Sequence, residues 1–145
     1  MIDRQAPLLR IAFVAGAITD AAAVVPLLVP PMARLMWGFD DPHGAYRFAM
    51  GYAASLMLGW TALLIWASQR PVERAGVAAL TVLVIYGLVV TELLAVLSGY
   101  MPAWRMIPTW ILQAVLLGLF ASAYHYPWLR RVASLAPSPS RRGPG

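Results

Sequence analysis

The chain has 145 residues, 61% hydrophobic and 12% charged, with a mean hydropathy of +0.69; that is about half the charge of a soluble globular domain, which excludes water as its main solvent. No cysteine is present, which excludes disulfides, thiolate metal sites and thiol redox chemistry. The net charge of +5 and the pI near 10.2 come from Arg alone, and Arg beside anionic lipid headgroups explains them without a nucleic-acid partner.

A membrane helix needs about 20 mostly apolar residues, because the hydrocarbon core is ~30 Å thick and each residue rises 1.5 Å. Four stretches qualify. The first predicted helix covers 11–29 and ends at Pro30-Pro31. Pro26 lies inside it, removes a hydrogen bond to the Ala22 carbonyl and predicts a kink. Arg4 and Arg10 followed by Ala21-Ala22-Ala23 imitate a cleavable signal segment. Asp20 and the apolar run through Val29 argue instead for a retained span. The connection over 31–47 is dense in turn residues at Phe39-Asp40-Asp41-Pro42-His43-Gly44.

The second predicted helix covers 48–67. The connection after it, 68–76, is short, so the second and third spans should form an antiparallel hairpin, with Pro71 at or before the first turn of the third helix. The third span covers 77–97. The fourth covers 106–124, stopping before Pro127 and Arg130-Arg131. The tail, 133–145, is Ser, Pro, Gly and Arg, with almost nothing to bury, and reads as disordered. The expectation is an all-α polytopic membrane protein, an antiparallel four-helix transmembrane bundle over 1–132.

Eight of the Arg residues fall at the N-terminus, the second connection and the C-terminus; Arg34, Arg47 and Arg105 fall on the other side, joined by Asp40 and Asp41. The positive-inside rule puts both termini in the cytoplasm. Aromatic belts agree. Trp37, Tyr46, Tyr52, Tyr100 and Trp104 mark the outer boundary, and Trp66, Tyr124, Tyr126 and Trp128 the inner one.

In lipid, helices associate through small residues and interhelical hydrogen bonds. Small residues recur every four positions at Gly51, Ser55 and Gly59, at Gly87, Thr91 and Ala95, and at Ala114, Gly118 and Ser122. A weaker set is Gly16, Asp20 and Ala23. Four-residue spacing keeps each set on one face, so Gly51, Gly59, Gly87 and Gly118 are expected at the helix contacts. One stripe turned outward would instead serve a homo-oligomer.

Asp20 and Glu92 are the acidic residues within spans. Such groups are costly in lipid, by ~2.5–3.5 kcal/mol on insertion scales, and face the bundle interior or a cavity. From helical rise, Asp20 lies near mid-membrane and Glu92 roughly 9 Å below the outer boundary. Gln113, Ser55 and Thr91 lie at comparable depth. A polar cluster of Glu92, Asp20, Gln113, Ser55 and Thr91 is therefore expected, with Arg47 and Arg105 at its rim and His43 in the adjoining loop. It would either hold the bundle in register or bind a small polar ligand, a cation or a proton. Two carboxylates without imidazole or thiolate make a weak metal signal. His125 reads as an interfacial residue and the seven Met as packing. Neither His suits a haem axial position. No GxSxG, Walker A, GxGxxG or HExxH occurs, and no cofactor is expected.

Gly16-Ala17-Ile18-Thr19-Asp20, Pro30-Pro31 and Trp37-Gly38, with Gly59-Trp60-Thr61 and Arg70-Pro71-Val72-Glu73-Arg74, resemble small bacterial four-helix membrane proteins of the DoxX-like type. The resemblance covers the first three spans. It implies a bacterial inner membrane and a four-helix bundle, and it transfers no catalytic residues. Three functions remain open: a non-catalytic binding or accessory membrane protein, a small proton- or cation-linked transporter using Glu92 and Asp20, and an enzyme acting on a quinone or lipid. A water-filled opening to Glu92 would favour transport, and an apolar lateral cleft near Tyr86 or Trp60 a lipid or quinone site. The expected partners are membrane lipids and either a second copy or another membrane protein.

Overall fold

The computed structural model describes residues 5–38 and 44–135, with side chains as far as residue 123. Its helices, in chain order, are α1 (Gln5–Leu28), α2 (Pro30–Trp37), α3 (Gly44–Gln69), α4 (Gly76–Leu97) and α5 (Ala103–Leu135). No strand occurs among the described residues. Four helices are long and apolar enough to cross a membrane: α1, α3, α4 and the 103–123 part of α5. Of the most apolar window in each, 33, 17, 11 and 28% is buried within the chain, in that order. The rest presents Leu, Ile, Val and aromatic side chains outward on all sides. Soluble monomers rarely expose apolar patches beyond a few hundred Å², whereas helices apolar all round suit lipid. The protein is an all-α, multi-pass membrane protein.

The ends of the helices differ from expectation for local reasons. Pro26 is buried two residues before α1 ends, so the bend expected there coincides with a helix end. Val29 takes an extended conformation, φ −108° and ψ 101°, because the ring of a following proline disfavours the helical region. Pro30 then starts α2, its fixed φ suiting a first helical position. The proline pair is thus both an end and a beginning, and α2 was not anticipated. Gly38 closes α2 in the left-handed region, φ +78°, its N–H donating to the Arg34 carbonyl at 2.8 Å. α3 begins at Gly44, and α5 continues through Pro127 to Leu135, so the fourth helix outlasts its expected end and takes in the first residues of the tail. His43, Asp40 and Asp41, the tail from 136, and the side chains of Tyr124, His125, Tyr126, Trp128, Arg130 and Arg131 lie outside the described residues.

The core sits towards one end. Leu9, Phe13 and Ala17 of α1 meet Leu64 and Ala67 of α3, Ala78 and Ile85 of α4, and Phe120 and Ala123 of α5. Phe13 and Phe120 stack at 5.8 Å with their rings tilted by 58°. α1 is the central helix, packed on α3 and on α5, and α4 packs on α5. α3 and α4 barely touch, so the hairpin expected from their short connection forms in chain direction but not in packing. A short connection fixes direction; side-chain fit decides the neighbour.

The expected packing glycines are corrected as well. A Cβ added to Gly51, Gly59, Gly87 or Gly118 would meet nothing within 4 Å. At Gly16 it would meet Leu64 Cδ1 at 3.1 Å and Phe120 Cζ at 3.2 Å. The weakest of the four small-residue sets therefore makes the close approach, and the glycines of the other three meet no neighbouring helix.

Polar bonds tie each end. At the core end, Arg10 Nε donates to the Ser68 carbonyl at 3.2 Å. Arg74 donates to the Trp66 carbonyl and lies over that ring at 3.6 Å. At the opposite end, Arg105 donates to the Arg34 carbonyl at 3.3 Å, and its guanidinium covers the Cα of Gly38. These bonds hold Arg10 and Arg74 at one end, and Arg34 and Arg105 at the other, as the alternating topology requires.

Candidate functional site

Of the expected polar cluster, the structure brings together two members. Gln113 Nε2 donates to Glu92 Oε1 at 2.9 Å, joining α5 to α4. Gln113 is 6% exposed. Its side chain is long enough to cross the helix gap, and Glu92 faces it from the antiparallel neighbour. The bond leaves Glu92 Oε2 and Gln113 Oε1 buried without a hydrogen-bond partner. Trp110, one turn before Gln113 on the same face, lies beside the Glu92 carboxyl group. The Trp110 indole N–H also lacks hydrogen-bond geometry to any acceptor.

Beside this pair lies a cavity of about 250 Å³ on the α4–α5 seam. Val89, Leu93, Trp110, Gln113, Ala114 and Leu117 line it. Leu93 and Ala114 are also exposed, so the cavity opens sideways, towards where lipid lies. Its wall is apolar apart from the polar edges of Gln113 and Trp110.

The other expected members stand apart. The Ser55 hydroxyl donates to the Gly51 carbonyl at 3.0 Å and that of Thr91 to Gly87 at 2.9 Å; both residues are exposed. Thr61 and Thr81 do the same within their own helices, to Met57 and Val77. Short hydroxyl side chains in helices find the carbonyl four residues back, so they need no interhelical partner. Asp20 is half-buried on α1 and stands outside the Glu92–Gln113 bond. Gly16 is level with Phe120, so helical rise puts Asp20 and Gln113 within roughly 5 Å in depth, but on different helices. Arg105 stands at the end of the helices beyond Gln113, where it donates to the Arg34 carbonyl of α2. Arg47 is exposed and borders a separate cavity of about 130 Å³ with Pro26, Pro30, Ala33, Tyr46 and Met50. Among the described residues, no three His, Cys, Asp or Glu side chains converge.

The sequence reading missed Trp110. The signal for it was present: three residues before Gln113, it shares that face of the helix. No family model, no curated protein and no solved structure matches the chain.

Proposed function

We propose that the protein is a non-catalytic binding protein of a bacterial inner membrane, both termini cytoplasmic, and that it takes an apolar small molecule from the bilayer at the α4–α5 seam. One observation carries this reading. A buried Gln113, bonded to Glu92, forms the polar edge of a laterally open apolar cavity and keeps unpartnered oxygen on both residues. A polar interaction that served only to fix helix register would leave fewer buried atoms unsatisfied. Binding sites for small molecules have this composition, a mostly apolar wall with a few placed polar groups. The cavity opens towards lipid rather than through the molecule, and Asp20 is not joined to Glu92; both features support binding over transport. Lipids are the surrounding partners, and the uncovered stripes at Gly51, Gly59, Gly87 and Gly118 are the faces available to a second copy or another membrane protein.

The test is extraction of the full chain in a mild detergent, with its small apolar molecules identified by mass spectrometry. The control is Ala114→Phe, which fills the cavity from its exposed rim. A species enriched with the parent chain and lost with Ala114→Phe is the expected result. Identical extracts would overturn the reading.

A further inference from the structure

The Pro30-Pro31 pair strips donors from the end of α1. In a helix each carbonyl accepts the N–H four residues on. The Pro26 and Leu27 carbonyls would take theirs from Pro30 and Pro31, and proline has no N–H. The Leu28 carbonyl would take that of Met32, which donates to the Val29 carbonyl instead, at 2.9 Å. The last regular bond of α1 runs from the Val29 N–H to the Val25 carbonyl, also at 2.9 Å. Three successive carbonyls thus end α1 without a backbone donor, at the negative pole of a 24-residue helix.

Pro26, Leu27 and Leu28 all line the cavity of about 130 Å³ between α1, α2 and α3. Arg47 lines it too, from the first turn of α3. Its side chain is exposed and makes no hydrogen bond or ion pair among the described residues. One cavity therefore joins a negative helix end that lacks donors to a cation that lacks a partner. A bare cation bound there would be repelled by Arg47, and a bare anion by the carbonyl oxygens. A molecule carrying both charges a few bonds apart suits both. Depth fits a lipid head group. The 24 residues of α1 extend about 36 Å, against a hydrocarbon core of ~30 Å, so the last turn reaches the boundary.

We propose that this cavity binds the head group of a zwitterionic lipid with a primary ammonium, phosphatidylethanolamine. The ammonium donates its N–H groups to the Pro26, Leu27 and Leu28 carbonyls, and Arg47 holds the phosphate at the rim as a charge-assisted pair. Size agrees. A cavity of about 150 Å³ holds the six carbons of benzene. This one, at about 130 Å³, takes the aminoethyl group and leaves the phosphate outside, beside the exposed guanidinium. A choline head group has no N–H to give, so the carbonyls discriminate against it. The site is distinct from the α4–α5 seam and does not depend on what binds there.

The experiment is native mass spectrometry of the full chain in detergent, titrated with one lipid at a time. The probes are dioleoylphosphatidylethanolamine, its N,N-dimethyl derivative and dioleoylphosphatidylcholine, which share chains and phosphate and differ in N–H count. We expect first-lipid affinity to fall in that order, with ethanolamine at least roughly tenfold tighter than choline, in line with hydrogen bonds to charged groups. Arg47→Gln, at an exposed position, should weaken the ethanolamine lipid severalfold. Pro31→Ala returns an N–H for the Leu27 carbonyl and should narrow the preference for ethanolamine over choline. Glycerophosphoethanolamine, the same head without chains, should bind more weakly than the lipid. Equal affinity for the three lipids would overturn the proposal, as would an Arg47→Gln chain that binds like the parent. A preference undiminished in Pro31→Ala would overturn the role of the carbonyls, and equal binding of the chain-free head group would overturn the choice of a lipid. If Pro31→Ala fails to fold, the order of the lipids on the parent chain and the Arg47→Gln result decide.

Discussion

Gly16 is the position at which the packing argument is most exposed to test. A methyl added there would stand 3.1 Å from Leu64 Cδ1 and 3.2 Å from Phe120 Cζ. Ordinary carbon contacts begin near 3.5 Å, so both neighbours must retreat by a few tenths of an ångström. Leu64 and Phe120 are fully buried and have nowhere to go without moving α3 or α5. Two terms compete in Gly16→Ala. Helix propensity favours alanine by about 1 kcal/mol, and overpacking opposes it by about 1–3 kcal/mol. Gly118→Ala carries the first term alone, so the difference between the two variants gives the second. It sits in α5, where a Cβ would meet nothing within 4 Å, and it carries the same propensity gain. The difference between the two variants should thus be about 1–3 kcal/mol, with Gly16→Ala the less stable. Reversible unfolding by dodecyl sulfate in bicelles, followed by circular dichroism, measures it. A difference below about 0.5 kcal/mol, the scatter of surface substitutions, would refute the placement of Gly16 at the centre of the helix contacts. If Gly118→Ala proved as damaging as Gly16→Ala, something outside the chain would be covering that stripe.

Three further outcomes are expected. Gln113→Leu breaks the 2.9 Å bond and leaves Glu92 with one neighbour fewer, so it should lower stability by about 1–3 kcal/mol. The double variant Glu92→Leu/Gln113→Leu should recover much of that loss, and a thermal double-mutant cycle measures the coupling. Gly38→Ala forces a side chain into the left-handed region, at about 1–2 kcal/mol, and drives its Cβ to 2.7 Å from the Arg105 guanidinium. It should loosen α2, seen as faster hydrogen exchange at the Arg34–Gly38 turn, while Arg105→Ala should partly relieve it. A fluorescent-protein fusion after Gly145 should be bright, and an alkaline phosphatase fusion placed at 40–43 active. A dark C-terminal fusion would reverse the orientation argued from the Arg asymmetry.

Much of the fold was legible because its signal is cumulative. Four runs of about twenty apolar residues need no knowledge of partners, and the Arg and aromatic boundaries mark the same limits. The packing was not legible, for a specific reason. These helices are apolar on every side, so no moment shows which face turns inward. Spacing of four puts Gly51, Ser55 and Gly59 on one face without saying where that face points. Gly16 stood in the weakest stripe, yet the bulk of Leu64 and Phe120 opposite it made its missing side chain matter. The site was half legible. Depth alone grouped Asp20, Ser55, Thr91, Glu92 and Gln113. Ser55 and Thr91 drop out because their own helices satisfy them, a local option closed to the longer Gln113 and Glu92. The partner of Arg105 was not legible because α2, and with it the Arg34 carbonyl, was not foreseen.

The location of the seam follows from how unevenly the chain is packed. Near Arg10 and Arg74, all four long helices contribute to one cluster around Phe13 and Phe120. Towards the other end that cluster gives out, and α4 keeps α5 as its main neighbour. There the Glu92–Gln113 bond is the polar link between them. Interhelical hydrogen bonds in membranes contribute on the order of 0.6–2 kcal/mol, too little to clamp a helix that otherwise rests on apolar contacts lipid can replace. A region with few buried contacts opens at low free energy. The same thin packing that leaves Gln113 Oε1 and Glu92 Oε2 unsatisfied is what, on the proposed binding function, would give a molecule from the bilayer its way in between α4 and α5. A tighter bundle would have satisfied those atoms internally and closed the way in.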